Sequence, residues 1–198
     1  MKSDIESVLI SQKELNRIIA RLAAEIERDY SAPDKRLVLV SILKGSVMFA
    51  AALMTALKIP AEIEFMRVSS YGAGTVSSGN VRILLDFYRP DISELDLLIV
   101  EDIIDSGHTL SSLTKLLNER GARSVRSCTL LDKPERREVP FEPDYTGTVI
   151  PDKFVVGFGL DYNEKYRNLP FIGVLKPEVY SAPERPSMSI MKGNPTTK

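Results

Sequence analysis

The sequence predicts an α/β protein with a mainly parallel central sheet flanked by helices. Two short runs, residues 37–42 and 97–100, are continuously apolar, which is typical of parallel strands that are covered on both faces. Such runs alternate along the chain with segments of helical periodicity, as in repeated strand-helix-strand units. The length of 198 residues and the 43% hydrophobic content suffice for one folded domain. We assign residues 1–180 to this domain.

The predicted elements follow one another in a regular order. Ser11 and Glu14 have the spacing of a capping box, so an amphipathic helix should begin there. The other predicted elements are a strand at 37–42, a helix at 47–57, strands at 61–65, 81–85 and 97–100, a helix at 110–120, and strands at 124–131, 154–158 and 171–175.

Two segments lack this regular pattern. Residues 69–80 are rich in small polar side chains and contain three glycines, which predicts a mobile lid loop. Residues 181–198 contain three prolines and no apolar period, which predicts a disordered C-terminal tail.

The composition argues against several classes of protein. Lysine and arginine number 26 against 27 acidic residues, and the pI near 6.0 lacks the positive excess that favours nucleic acids or membranes. We therefore expect no nucleic-acid partner and no membrane association. The first residues are too acidic for a signal peptide, and no run of 18 apolar residues occurs, so we expect a cytoplasmic location. Cys128 is the single cysteine and lies in an apolar run, which predicts a buried strand residue without a disulfide.

The segment at 100–109 carries the strongest chemical signal, because a buried strand ends there and a helix begins. Its turn offers backbone N–H groups, two hydroxyls and a helix N-terminus, a donor set that suits a phosphate. The carboxylates of Glu101 and Asp102 would repel a phosphate, so their chemistry suits sugar hydroxyls or a divalent cation instead. The segment therefore predicts a sugar phosphate ligand. The alternative interpretation is that the segment is only a strand, a turn and an acid-rich helix cap, and that it binds no ligand.

The same segment resembles the signature of the type I phosphoribosyltransferases, which bind 5-phosphoribosyl-1-pyrophosphate (PRPP). The resemblance implies that fold, with a small hood, and implies that Glu101 and Asp102 bind the ribose hydroxyls and Mg²⁺. It also implies that Asp105 faces the base and acts as an acid or base. His108, the single histidine, is the alternative base. The residues that would surround the 5′-phosphate are Asp105, Ser106, Gly107, His108 and Thr109.

Three further segments resemble the 6-oxopurine branch of this family. Lys44 and Gly45 match the pyrophosphate loop, in which a non-proline cis peptide precedes the lysine. Ser70 and Tyr71 match the mobile loop, which closes over the reacting centre and excludes water. The third segment, residues 151–164, is close to diagnostic of the branch.

The resemblance assigns the purine and pyrophosphate contacts to five residues. Phe154 would stack on the purine, and backbone groups at Val155 would read the edge of the base. Asp161, next to the purine site, would hold a second Mg²⁺, and Arg167 would bind pyrophosphate. Lys133 would donate to the 6-oxo group, which favours hypoxanthine, guanine or xanthine over adenine because adenine presents another donor there.

Together these segments imply a Mg²⁺-dependent purine salvage enzyme. It would transfer the phosphoribosyl group of PRPP to N9 of hypoxanthine, and also of guanine, with release of pyrophosphate. The resemblance further implies a homodimer or homotetramer. One rival hypothesis is a PRPP-sensing regulator that binds nucleic acid through Arg120, Arg123 and Arg126. Another is a xanthine- or guanine-selective enzyme, because backbone groups read the purine 2-position in this family.

Overall fold

The computed structural model of the chain describes residues 1–69 and 82–181. Its helices are α1 (Gln12–Tyr30), α2 (Val47–Ala56), α3 (His108–Glu119) and α4 (Pro177–Tyr180). Its strands are β1 (Ile5–Ile10), β2 (Leu37–Ile42), β3 (Glu62–Ser69), β4 (Arg82–Leu85), β5 (Asp96–Ile104), β6 (Ser124–Asp132), β7 (Tyr145–Val149), β8 (Val155–Val156) and β9 (Ile172–Leu175). The structure describes only the first residue of the expected lid loop, Ser69, and only the first residue of the expected tail, Ser181. The other residues of both segments lie outside the described residues.

Six strands form the central sheet, in the order β4-β3-β2-β5-β6-β7. The five strands from β3 to β7 in this order are parallel, and β4 pairs with β3 in the antiparallel direction at one edge. The predicted α/β class with a mainly parallel sheet is therefore confirmed. Because parallel strands end at the same edge of a sheet, the carboxyl ends of β2, β3 and β5 lie side by side.

Apolar side chains cover both faces of this sheet. Leu37 and Leu39 of β2 pack in one core cluster with residues of α1 and α2, whereas Val38 and Val40 pack in a second cluster with residues of α3. The alternation follows from the two-residue period of a strand. All six residues of β2 are buried, which explains why every residue of this strand except Ser41 is apolar.

Two local predictions are also confirmed. Helix α1 begins after Ser11, as predicted, and the Ser11 hydroxyl accepts a hydrogen bond of 3.2 Å from the backbone N–H of Glu14. Cys128 is buried in β6, and burial raises the pKa of its thiol.

In the part of the chain that the structure describes, no helix combines the length and hydrophobicity of a transmembrane segment.

A second sheet with the order β1-β9-β8 forms the hood, and both of its strand pairs are antiparallel. The prediction of a strand at 154–158 was too long, because only Val155–Val156 is a strand. The next three residues, Gly157, Phe158 and Gly159, have φ angles of 102°, 49° and 104°, which end the extended conformation. A Cβ atom on Gly157 would lie 2.0 Å from the carbonyl oxygen of Phe171, so glycine is required there.

Candidate active site

A cavity of about 410 Å³ opens at the carboxyl ends of β2, β3 and β5. Its lining consists of Ile42, Leu43, Val68 and residues 101–110. Open α/β sheets bind their ligands at this edge, so the fold places the segment with the strongest chemical signal where a ligand is expected.

The turn after β5 presents the N-terminus of α3 to this cavity. Gly107 precedes the helix with a φ of 86°, a left-handed conformation that a residue with a side chain adopts only with strain. No side chain caps the helix at this residue, and the N–H groups of a first helical turn have no acceptor within the helix. These donors, the hydroxyls beside them and the helix dipole together suit a phosphate.

Arg137 stabilises this turn through hydrogen bonds. Its guanidinium donates to the carbonyl oxygen of Asp105 at 2.5 Å and to the carboxylate of Asp132 at 2.6 Å. The backbone N–H groups of Glu138 and Val139 both donate to the carbonyl oxygen of Ser106, at 3.0 and 3.2 Å. Sequence reasoning missed Arg137, because only the folded chain brings this residue against a turn some thirty positions earlier.

Glu101 and Asp102 place two carboxylates at the end of β5. Asp102 is buried, Glu101 is half-buried, and Oε2 of Glu101 has no hydrogen-bond partner among the described residues. Burial raises the pKa of both carboxyl groups, and the neighbouring charge of Asp102 raises the pKa of Glu101 further. An acidic pair with an unused oxygen suits a donor or a hard cation, so the pair fits Mg²⁺.

The described residues contain no cluster of three or more His, Cys, Asp and Glu side chains that could hold a metal ion alone. Mg²⁺ usually keeps several waters and binds through one or two carboxylates together with oxygens of a substrate. The arrangement therefore suits a metal that arrives with a phosphorylated ligand.

The loop at Lys44 and Gly45 packs directly against this acidic pair. The peptide bond between Leu43 and Lys44 is cis, as the resemblance implies. A Cβ atom on Gly45 would lie 1.9 Å from Oδ2 of Asp102, and one on Gly159 would lie 1.9 Å from the carbonyl oxygen of Gly45. Because neither glycine has a side chain, the loop after β2 can pack directly against the carboxylate of Asp102 and against the backbone at Gly159.

Arg167 joins the same region from the segment after β8. Its guanidinium donates to the carbonyl oxygen of Gly159 at 2.7 Å and lies 2.8 Å from Oδ1 of Asp161. It also lies 3.5 Å from Oε2 of Glu164, which in turn accepts from Nζ of Lys44 at 2.9 Å. One carboxylate, that of Glu164, thus contacts both Lys44 and Arg167, and the assignment of these residues to pyrophosphate stays a prediction. Asp161 is paired with Arg167, and its predicted role toward a metal stays a prediction.

Lys133 lies next to Asp105. Only 8% of its side chain is exposed, and Nζ lies 3.9 Å from Oδ1 of Asp105 and 3.7 Å from Oδ1 of Asp152. Oδ1 of Asp105 has no hydrogen-bond partner among the described residues. A lysine that follows a strand is usually a solvated surface charge, so this burial distinguishes Lys133 from an ordinary lysine.

His108 faces a different neighbour. Its Nε2 lies 3.0 Å from Oε2 of Glu138, and both side chains are largely exposed. The structure therefore places Asp105, and not His108, beside Lys133. The predicted positions Ser70 and Tyr71 lie outside the described residues.

Phe154 presents an exposed aromatic ring next to β8. The residue is 39% exposed, its ring stacks on Tyr180 at 4.9 Å between centroids, and Tyr162 meets it edge-on at 5.6 Å. Val155 is buried and pairs with Val174 of β9, which fixes the backbone beside Phe154. Sequence reasoning missed Tyr180, because only the folded chain brings its ring against Phe154.

The fold and this cavity define the class of the protein. A sequence model of the phosphoribosyl transferase domain matches residues 9–163, and the chain belongs to the phosphoribosyltransferase family. Its relatives narrow the assignment to the hypoxanthine-guanine branch. The hypoxanthine-guanine phosphoribosyltransferase of Staphylococcus epidermidis is 50% identical over 181 residues, which cover 91% of this chain and 99% of that protein.

Two further comparisons agree with this branch. The Bifunctional protein TilS/HprT of Listeria innocua is also 50% identical over 181 residues, but the chain spans only 28% of that relative's length. A crystal structure of a hypoxanthine phosphoribosyltransferase from Staphylococcus aureus superposes with a TM-score of 0.86 at 48% identity. That alignment covers 92% of this chain and 97% of the staphylococcal chain.

Proposed function

We propose that the chain transfers the 5-phosphoribosyl group of PRPP to N9 of a 6-oxopurine. Hypoxanthine and guanine would be its substrates, IMP and GMP its products with pyrophosphate, and purine salvage its role. The observation that carries this proposal is the buried Lys133 beside Asp105 at the edge of a phosphate-binding turn. The names of the closely related bacterial enzymes support the same reaction.

PRPP would bind across the carboxyl edge of the sheet. The 5′-phosphate would lie on the turn formed by residues 105–109, where hydroxyls and helix N–H groups are available. Glu101 and Asp102 would accept hydrogen bonds from the ribose hydroxyls. Arg167 and the loop of Lys44 and Gly45 would bind the pyrophosphate. Ser70 and Tyr71 would close over the site from the lid loop and exclude water.

The purine would lie between Phe154 and Lys133. A flat base gains from the offset face of an aromatic ring, and Val155 would offer its backbone groups to the base edge. The ammonium of Lys133 would donate to O6, which adenine replaces with an amino donor. A buried cation that faced another donor would lose its hydrogen bond, so we expect adenine to be rejected.

The transfer breaks the bond between C1′ and the pyrophosphate oxygen and forms the bond between C1′ and N9. Bond breaking should run ahead of bond formation, so negative charge grows on the pyrophosphate while C1′ becomes positive. The guanidinium of Arg167 and the loop at Lys44 would stabilise that negative charge. Asp105 would accept the proton that the base loses from N7, as a general base in reach of the purine.

Glu101, Asp102 and Asp161 would hold the required Mg²⁺. When bound, the metal would neutralise charge on the pyrophosphate and help to orient PRPP.

The PRPP-sensing regulator is the less favoured candidate. It needs free positive charge, but Arg120 is paired with Asp86, Arg123 with Asp96, and Arg126 with Asp29. The net charge of −1 points the same way. We therefore propose no nucleic-acid partner and no membrane association. We further propose a cytoplasmic homodimer or homotetramer, with residues 1–180 as one domain and residues 181–198 as a tail.

The test is the initial rate with PRPP and Mg²⁺ against hypoxanthine, guanine, xanthine and adenine, followed by ultraviolet absorbance. We expect turnover of hypoxanthine and guanine that stops on chelation of the metal, with adenine inert. Turnover of adenine, or PRPP binding without turnover of any base, would overturn the proposal. A gel-shift assay with and without PRPP would then test the regulator.

A further inference from the structure

Glu164 lies between Arg167 and Lys44, a cation on each of the two segments that we assign to pyrophosphate. Its Oε2 atom accepts from Nζ of Lys44 at 2.9 Å and lies 3.5 Å from the guanidinium of Arg167. Lys44 comes from the loop after β2, 120 positions earlier in the chain. One carboxylate oxygen therefore bridges two functional segments that are remote in sequence.

The backbone at Glu164 is unusual for a residue with a long side chain. Asn163 and Glu164 have φ angles of 50° and 60°, and Tyr162 and Lys165 pair on either side of them through two backbone hydrogen bonds of 3.0 and 3.2 Å. Two central residues with positive φ are typical of a type I′ turn, whose second central position favours glycine. The chain carries a glutamate there, in a conformation that a residue with a side chain adopts only at a cost.

A hydrogen bond fixes the direction of this turn. The backbone N–H of Glu164 donates to Oδ2 of Asp161 at 2.9 Å, while Oδ1 of Asp161 contacts Arg167. The turn and Arg167 are thus tied to the same aspartate.

We propose that Glu164 is a displaceable internal anion, which holds Lys44 and Arg167 in the unliganded protein and yields them to the pyrophosphate group of PRPP. The inference rests on the proposed function, since that function assigns pyrophosphate to Arg167 and to the loop that carries Lys44. In this account Glu164 acts only through Lys44 and Arg167 and does not touch the reacting atoms.

The consequence is that Glu164 weakens the binding of PRPP and also the binding of the product pyrophosphate. PRPP must break two ion pairs before its pyrophosphate reaches the cations, and the released pyrophosphate is replaced by a carboxylate already attached to the chain. Exposed ion pairs are weak, so removal of this competitor should tighten diphosphate binding by only roughly 3- to 10-fold. Among the described residues, the Glu164 carboxylate pairs with Lys44 and Arg167 and not with Lys133 or Phe154, so purine binding should not respond to the loss of its charge.

The opposite interpretation is that Glu164 orients Arg167 for the substrate. Loss of its carboxylate would then leave the guanidinium less ordered and would weaken the binding of PRPP and pyrophosphate. The two interpretations predict changes of opposite sign.

The experiment compares Glu164→Gln and Glu164→Gly with the full-length wild-type chain. The dissociation constant of pyrophosphate is measured calorimetrically with Mg²⁺ present, and KM is measured for PRPP and for hypoxanthine. Glutamine removes the charge at nearly constant shape. Glycine also fits the positive φ, so the second variant should fold at least as well as wild type. Glu94→Gln is the matched control, because Glu94 is exposed just before β5, at the opposite end of the sheet.

Both Glu164 variants should bind pyrophosphate 3- to 10-fold more tightly and lower KM for PRPP by a similar factor, with KM for hypoxanthine within twofold of wild type. The Glu94 variant should match wild type. Unchanged or weaker pyrophosphate binding in both Glu164 variants would overturn the inference alone. A wild-type chain that binds neither PRPP nor pyrophosphate would instead overturn the proposed function, and the inference with it.

Discussion

The α-carbon of Gly45 faces the carboxylate of Asp102 so closely that an added methyl group would lie 1.9 Å from Oδ2. The carbonyl oxygen of Gly45 meets Gly159 equally closely on another side. The loop after β2, the end of β5 and the segment after β8 are therefore packed into one unit. A change at Gly45 should reach the acidic pair and the pyrophosphate site together.

We expect Gly45→Ala to lower kcat/KM for PRPP by about 10²-fold, since a displacement of about 1 Å in a positioned site has that effect. The alanine must push either its own loop or Asp102 away. Gly121→Ala is the matched control, because Gly121 has a φ of 87° but nothing within 4 Å of an added Cβ. The control should lose about 1 kcal/mol of stability and keep its kcat/KM. Equal kcat/KM values for the two variants would contradict the close packing described here.

Lys133→Ala should weaken the discrimination between bases. We expect kcat/KM for hypoxanthine to fall by about 10²-fold while the value for adenine changes little, because only the oxo group loses its donor. The ratio of the two values is the measurement, since it does not depend on the fraction of folded protein. Lys115→Ala, at an exposed position on α3, serves as the control. A hypoxanthine to adenine ratio that stayed at the wild-type value would remove Lys133 from this role.

Asp105→Ala should lower kcat by about 10²- to 10⁴-fold, the range for loss of general acid-base catalysis. Binding of PRPP should largely survive, because backbone and hydroxyl donors of the turn remain. His108→Ala is the informative comparison, since His108 faces Glu138 instead of Lys133. A kcat of Asp105→Ala within threefold of wild type, or a larger loss in the histidine variant, would show that Asp105 is not the base.

Tyr180→Ala should raise KM for hypoxanthine by about 3- to 10-fold and leave KM for PRPP unchanged. The ring of Tyr180 stacks on Phe154 at an interplanar angle of 19°, and aromatic pairs of this kind contribute about 0.5–1.5 kcal/mol. Tyr180→Phe keeps the ring and should behave like wild type. A lower KM in the alanine variant would indicate that Tyr180 competes with the purine for Phe154.

Asp96 carries a pH-dependent part of the stability. Burial alone would raise the pKa of this carboxyl, but hydrogen bonds from Arg123, Ser124 and the backbone of Arg36 outweigh burial and lower it. A lowered pKa in the folded state adds stability above the unfolded pKa of about 3.9, and this stability is lost as the pH falls through the folded value.

We therefore expect Asp96→Asn to cost about 3 kcal/mol at pH 7, as the removal of one partner of a buried ion pair usually does. The cost should be the same at pH 6 and should shrink below about pH 4. Urea unfolding at pH 7, 6 and 3.5 measures it. A cost that grew as the pH fell would contradict the sign of the argument.

The features that could be predicted from the sequence are those formed by residues that follow one another in the chain. Strand β2 and the cap of α1 are local patterns, and residues 101–109 form one uninterrupted segment. Strand β7 was not predicted, because Thr146 and Thr148 alternate with Gly147 and leave little apolar signal. Its place depends on a contact, since a Cβ on Gly147 would lie 2.3 Å from the carbonyl oxygen of Leu130 in β6.

The same distinction applies to the site. The resemblance assigned roles to Lys44 and Arg167, but their shared carboxylate partner, Glu164, becomes visible only when two segments meet in space. Arg137 and Tyr180 escaped notice for the same reason. Each acts on a predicted site residue through a tertiary contact that no local pattern records.

The most direct test of the central claim is to identify the products formed from hypoxanthine, PRPP and Mg²⁺. Nuclear magnetic resonance would report the site of ribosylation, and an enzymatic assay would count the pyrophosphate. We predict one N9-linked nucleoside 5′-monophosphate and one pyrophosphate for each hypoxanthine consumed. Hydrolysis of PRPP with the free base unchanged, or a ribosyl group attached at another nitrogen, would contradict the account.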